Sequence, residues 1–130
     1  MDIDILAFGA HPDDVELGCA GTISKAVFEG KKVGIIDLTL GEMATRGTTD
    51  IRAKEAQISG ELLGVVFREN MNFKDAFIFN DETHQRKLIS VIRRYRPEIV
   101  LCNAVKDRHI DHAKASELVS HACFLLIFLL

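Results

Sequence analysis

The chain of 130 residues is the size of one domain and carries no Pro-, Gly- or Ser-rich stretch to act as a linker, so residues 1–130 read as a single domain. A formal net charge of −3, with Lys and Arg scattered along the chain, provides no basic stripe and argues against nucleic acid as a partner. Cys19, Cys102 and Cys123 are odd in number, sit in apolar contexts and form no C-x-x-C pair, which argues against a disulfide framework or a thiolate zinc knuckle and leaves three buried, reduced thiols.

The N-terminus, MDIDILAF, is acidic where a secretory signal is basic and has no small-residue cleavage site after an apolar core, so a cytoplasmic location is expected. Within it, Ile3 to Phe8 is a short apolar run of the kind found in strands buried on both faces. Val15 to Glu29 then carries apolar residues at helical spacing. Lys32 to Leu40 reads as a second buried strand, and Asp50 to Leu63 as a second amphipathic helix that Thr49 or Asp50 can cap. LGVVF, Leu63 to Phe67, supplies a further short strand. A third helix covers Thr83 to Tyr95; Arg93, Arg94 and Arg96 complement the dipole at its end, and Pro97 stops it. Glu98 to Cys102 is the last strand. Strands alternating with helices need crossover connections, which predicts an α/β fold: a Rossmann-like three-layer sandwich with a mainly parallel sheet and helices on both faces. The tail, CFLLIFLL from Cys123 to Leu130, is continuously apolar but falls short of the roughly 20 residues that a membrane span needs, so no membrane span is expected. It reads instead as a helix that packs against further sequence, or as a frameshifted end.

In open α/β sheets, ligands bind beyond the carboxyl ends of the strands, where loops and helix N-termini converge. His11 to Glu16 follow the first strand, and Pro12 fixes its own φ while biasing His11 toward an extended backbone. Asp13 and Asp14 are neighbours that point in different directions, so one can bind a cation while the other faces a water on it. Capping and charging the first turn of the next helix is the competing account of these carboxylates. A second cluster, KDRHIDH at residues 106 to 112, follows the last strand and again joins histidines to aspartates. His109 and His112 are three apart, which places both on one side of a turn entering a helix. Two such clusters at the mouths of two parallel strands are hard to explain as packing. Two histidines and one carboxylate form a catalytic zinc shell with a position left open, and the same donors accept iron, cobalt or nickel.

Between the clusters, LTLGEMATRGTTDIRAKEA adds Glu42, Arg46 and Arg52 near the same rim. An arginine fork suits carboxylate or hydroxyl groups of a substrate, although arginines in a first helical turn are commonly only solvated. His84 and His121 read as structural. A dinucleotide site does not fit, because the first turn lacks G-x-G-x-x-G and its aspartates repel a pyrophosphate.

AHPDDVELGCAGTI, LTLGEMATRGT with IRAKEA, and DRHIDH followed by AS together resemble the LmbE-like, or PIG-L-like, family of zinc-dependent N-acetylglucosaminyl deacetylases. Within that family the chain looks most like the bacillithiol biosynthesis deacetylases. The resemblance implies a Zn2+ cofactor, with Fe2+ as another divalent occupant, held by His11, Asp14 and His112, and Asp13 as general base. It implies that His109 stabilises or protonates the tetrahedral oxyanion, that Asp111 orients an active-site histidine, and that Arg52, with Arg46 and Glu42, holds the substrate. The implied substrate is a small-molecule amino sugar, N-acetylglucosaminyl malate. Ile110 stands where many relatives carry proline. Relatives are also much longer, so the domain is expected to be incomplete at its C-terminus, with an open sheet edge that invites self-association into a homo-oligomer. A catalytically inactive fragment that keeps the first half of the fold, and binds metal or a partner, is the alternative.

Overall fold

Leu6 and Phe8 face one side of the first strand and Ile5 and Ala7 the other, and this alternation sets the layers of the whole fold. In the computed structural model, which describes residues 1–128, four strands alternate with four helices. These are β1 (Ile5–Gly9), α1 (Asp14–Phe28), β2 (Val33–Thr39), α2 (Thr49–Leu63), β3 (Phe67–Phe73), α3 (Glu82–Tyr95), β4 (Ile99–Leu101) and α4 (Ile110–Leu125). The sheet order is β3-β2-β1-β4 with every pairing parallel, so Ile5 lies between Val33 on one side and Ile99 on the other.

Ile5, Ala7, Val33 and Ile35 pack with Val15, Ile23 and Ala26 of α1 on one face. Leu6, Phe8, Ile36 and Leu38 pack with Leu88 and Ile92 of α3 and Leu118 and Val119 of α4 on the other. The result is the expected α/β sandwich, helices covering both faces of a parallel sheet. Because β2 and β3 lie to one side of β1 and β4 to the other, the chain reverses its direction of travel across the sheet at β1 and β4. The loops leaving these two strands diverge, and a crevice opens between them.

Several boundaries differ from expectation for identifiable reasons. Leu63 ends α2 and Gly64 closes it in the left-handed region at φ +77, so LGVVF is a helix end and linker up to Val66, with Leu63 and Val65 packed beneath α1, and only its last residue, Phe67, enters the strand. The strand begins at Phe67 and is largely polar, because its side chains find specific partners: Arg68 pairs with Asp37, Asn70 donates to the Thr39 carbonyl, and Glu69 accepts from the Tyr95 hydroxyl. Thr48, not Thr49 or Asp50, caps α2, its hydroxyl accepting from the Ile51 amide at 3.1 Å. Arg96 is itself the left-handed C-cap of α3, and Pro97 follows. The thiols are not all buried: β4 is a short edge strand, so Cys102 at its end is exposed, and Cys19 and Cys123 are half-buried.

Along the tail, Cys123, Leu125 and Leu126 pack against the α3–α4 core while Phe124, Ile127 and Phe128 stay exposed; Leu129 and Leu130 lie outside the described residues. Among the described residues no helix is long and apolar enough to cross a membrane.

The α2 cap gives a direct check on this boundary. Thr48→Ala is expected to cost about 1 kcal/mol in chemical denaturation, while Thr49→Ala stays within about 0.5 kcal/mol of the parent.

Candidate metal centre

His11 leaves β1 at the crevice and is buried, with every polar atom committed. Its amide donates to Asp14 Oδ2 at 2.9 Å, and its ring Nδ1 lies 3.5 Å from the same oxygen. Its Nε2 lies 2.8 Å from Asp111 Oδ2 and 3.0 Å from Asp75 Oδ1. His112, on the first turn of α4, mirrors this arrangement: Nδ1 pairs with Asp107 at 2.8 Å, and Nε2 faces Asp14 Oδ1 at 3.3 Å. Asn103, at the end of β4, donates to Asp14 Oδ2 at 3.2 Å.

Each histidine is thus held by carboxylate on one ring nitrogen and turned toward Asp14 with the other. Ligand atoms of His11, Asp14 and His112 lie within 4.8 Å of one another. Two imidazole nitrogens and one carboxylate oxygen, each histidine backed by a further carboxylate, form a donor set that fits a zinc-like cation with an open position.

The electrostatics follow from this crowding. Burial works against a charge on His11, but the hydrogen bonds and charges of Asp14, Asp111 and Asp75 outweigh it and push the imidazole up to about 9. Burial likewise opposes the charge on Asp14, yet the His11 contacts and the nearby His112 hold that carboxyl down to about 2. Asp13 turns the other way, half exposed, with Arg52 Nη2 3.6 Å from its carboxylate. Burial and the adjacent Asp14 charge push its pKa up, against the pull of Arg52 and His11.

His109 caps α4 through its ring, Nδ1 accepting from the Asp111 amide at 3.1 Å. A neutral His109 therefore carries its proton on Nε2 and keeps a free N–H donor. Its ring stands edge-on to His11 with centroids 4.7 Å apart and stacks on His112. Asp111 is 1% exposed and orients His11; its second oxygen, Oδ1, has no hydrogen-bond partner among the described residues.

Arg52 reaches across the rim to the Gly41 carbonyl at 3.2 Å. Gly41 sits at φ +65, and any Cβ there would meet the guanidinium. Glu42 braces the neighbouring loop by accepting from the Asp75 amide at 3.0 Å. Arg46 is exposed and, among the described residues, makes no side-chain hydrogen bond or ion pair. His84 and His121 bond to Asp81 and to Asn80 with Gln85, away from the centre.

Sequence reasoning assigns no role to three residues of the cluster. Asp75 lies in the isolated FKDAF after a polar strand, yet its carboxylate is a hub that also accepts from the amides of Met43 and Ala76. Asp107 is visible inside the KDRHIDH motif, and Asn103 by its position at a strand's carboxyl end. An apolar groove of about 490 Å³ runs between α1 and β4, past Leu17, Cys19 and Leu101, and ends at Asp14 and His112.

Residues 6–123 match the family described as PIG-L: GlcNAc-PI de-N-acetylase. Among curated proteins the chain is similar to the uncharacterized deacetylase YaiS of Escherichia coli (strain K12), 32% identical over 127 residues that cover 92% of this chain and 67% of that protein. It is also similar to the diacetylchitobiose deacetylase of Thermococcus kodakarensis (strain ATCC BAA-918 / JCM 12380 / KOD1), 35% identical over 107 residues that cover 75% of this chain and 39% of that protein. Its fold superposes on the crystal structure of the conserved protein TT1542 from Thermus thermophilus with a TM-score of 0.90 and 42% identity, over 95% of this chain and 56% of that one. The chain therefore spans between 39% and 67% of the length of these relatives.

The His11 geometry predicts how a cation competes with a proton. In the metal-free fold the raised pKa favours the charged ring, a contribution to stability that is fully present below pH 6.5 and lost as the pH rises through 9. A cation that uses His11 has to displace that proton. Zn2+ affinity in titration calorimetry is expected to rise about tenfold per pH unit between pH 6.5 and 9, with proton release seen in buffers of different ionisation heat. The denaturation midpoint of the metal-free protein is expected to fall over the same interval.

Proposed function

The chain belongs to the PIG-L family of GlcNAc-PI de-N-acetylases, and from that premise we propose that it works as a divalent-cation-dependent hydrolase removing the acetyl group from an N-acetylglucosamine conjugate. The observation that carries the reading is the gathering of His11, Asp14 and His112 within 4.8 Å at the sheet's crevice, with Asp13 standing beside them. Asp13 occupies the N-cap of α1 yet makes no side-chain cap hydrogen bond, so its carboxylate is left for other work.

His11, Asp14 and His112 are the residues that would hold the ion, Zn2+ by preference and Fe2+ as the other candidate. When bound, the ion supplies a Lewis acid that polarises the acetamide carbonyl and makes water nucleophilic near neutral pH. Asp13 takes the proton from the attacking water and passes it to the nitrogen of the departing amine as the amide C–N bond breaks; the water oxygen leaves in acetate. Its raised pKa suits a carboxyl that holds this proton between the two events. His109 donates its Nε2–H to the carbonyl oxygen as that oxygen gains charge. Asp111 keeps His11 turned toward Asp14.

Arg52 lies beside Asp13 and donates to the Gly41 carbonyl, contacts that support a role in which its remaining donors take a sugar hydroxyl or a carboxylate. The finer reading is N-acetylglucosaminyl malate as substrate in bacillithiol biosynthesis, supported by the motif resemblance and by Arg46 and Arg52 as cations on the rim. Self-association along the short β4 edge belongs to the same reading.

The division of roles is tested by zinc content and amine release from N-acetylglucosaminyl malate. Asp13→Ala is expected to keep zinc and lose roughly 10²- to 10⁴-fold in turnover, whereas His112→Ala loses both. Equal zinc loss in the two variants would sink the assignment of Asp13 as base. Stoichiometric zinc in the parent chain with no amine release from any N-acetylglucosamine conjugate would sink the hydrolase reading for this chain.

A further inference from the structure

Arg68 takes no part in the chemistry above, yet all five of its N–H donors are used. Nε and Nη2 donate to the two oxygens of Asp37 on β2 at 2.7 and 2.9 Å. Nη1 and Nη2 donate to the two oxygens of Glu16 on α1 at 2.8 and 3.2 Å. Nη1 also reaches the Ala56 carbonyl of α2 at 3.3 Å, and Ser59 of α2 donates to Glu16 at 2.8 Å. The guanidinium side chain is only 4% exposed. Burying such a cluster is costly, and well-packed apolar residues commonly serve stability as well, so its geometry invites a reason beyond holding layers together.

The reason lies two residues away. Glu16 belongs to the first turn of α1, which also carries Asp14 and begins at Asp13. That turn is poorly secured by the helix itself. Asp13 provides no side-chain cap bond, and Cys19 at φ −150, ψ 26 breaks the helical geometry after one turn. The body of α1, anchored through Ile23 and Ala26, therefore does not by itself dictate where the first turn points; the turn depends on its own contacts, Val15 in the core and Glu16 on Arg68.

We infer that Arg68, acting through Glu16, is a positioning clamp that fixes the first turn of α1 and so aims Asp14 at the cation and Asp13 at the reacting water. The second half of this inference rests on the hydrolase reading, and the first half concerns the cation alone.

The test compares Glu16→Gln and Arg68→Met with the parent chain and with Val91→Ala, a cavity variant of α3 on the opposite face of the sheet that serves as a stability control. Zn2+ affinity is measured by competition titration, and the Co2+ form is followed by its visible absorption. Glu16→Gln is expected to weaken Zn2+ binding about 10- to 100-fold and to shift the Co2+ bands, while Val91→Ala, though less stable to heat, changes neither. At saturating Zn2+, kcat should fall in Glu16→Gln with KM unchanged. Unchanged Zn2+ affinity and Co2+ bands in folded Glu16→Gln overturn the clamp, as does an equal loss in Val91→Ala, which would mark a general softening. Should Arg68→Met fail to fold, Glu16→Gln decides alone. A parent chain that binds Zn2+ and releases no amine overturns the hydrolase reading, and the clamp is then judged on metal affinity.

Discussion

The imidazole of His11 ties together the elements around the crevice. It extends from β1, grips the first turn of α1 through Asp14, the β3–α3 loop through Asp75 and the first turn of α4 through Asp111. Asp75 carries the connection onward to the β2–α2 loop through the Met43 amide and Glu42. One ring thus couples all four loops at the carboxyl end of the sheet. A side chain that could not donate from opposite edges would leave nearly buried carboxylates facing each other without a partner, which is among the costlier arrangements in a folded chain.

The first turn of α1 shows how the fold gives up local stability at this point. Thr48 and Asp81 cap α2 and α3 with side-chain hydrogen bonds, as helix N-termini ordinarily require. Asp13 is an equally good capping residue by type and does not cap. The forgone bond is worth about 1 kcal/mol. Gly9 permits the close approach that this turn needs, since a Cβ there would stand 3.1 Å from Asp14 Cβ and 3.2 Å from Val15. Strand, turn and helix are thereby pressed together so that Asp14 faces inward and Asp13 outward from adjacent positions.

The legible parts of the sequence are those whose signal is local. HPDD and HIDH announce themselves because histidine next to aspartate at a strand's carboxyl end has few packing explanations, and the buried strands β1 and β2 because their runs are predominantly apolar and buried throughout. β3 lies beyond its expected place because its pattern is set by partners distant in sequence: Arg68 is 31 residues from Asp37 and 52 from Glu16. No window of ten residues holds that information. Asp75 escapes for the same reason, being 64 residues from the histidine it supports. The Thr48 cap differs from expectation by a single position, the usual uncertainty of a helix end.

The charge balance of the centre gives the last argument for a cation. Asp14, Asp75 and Asp111 surround His11, and a single protonated imidazole answers them directly. On the far side of Asp14, Arg68 is shared between Asp37 and Glu16, so it too faces more negative charge than it carries. Burial, together with the Glu16 and Asp14 charges, pushes the Asp37 carboxyl up to about 6 even with Arg68 beside it. Asp111 Oδ1 has no hydrogen-bond partner among the described residues. A fold built only for packing would trim such a surplus, because unpaired buried carboxylates cost more than apolar replacements. A divalent ion at the ligand atoms would displace one proton from His11 and bring two positive charges, which would move the cluster toward neutrality. The carboxylate surplus is therefore the electrostatic counterpart of the donor geometry: both are features that the proposed binding of a doubly charged cation in place of the His11 proton requires.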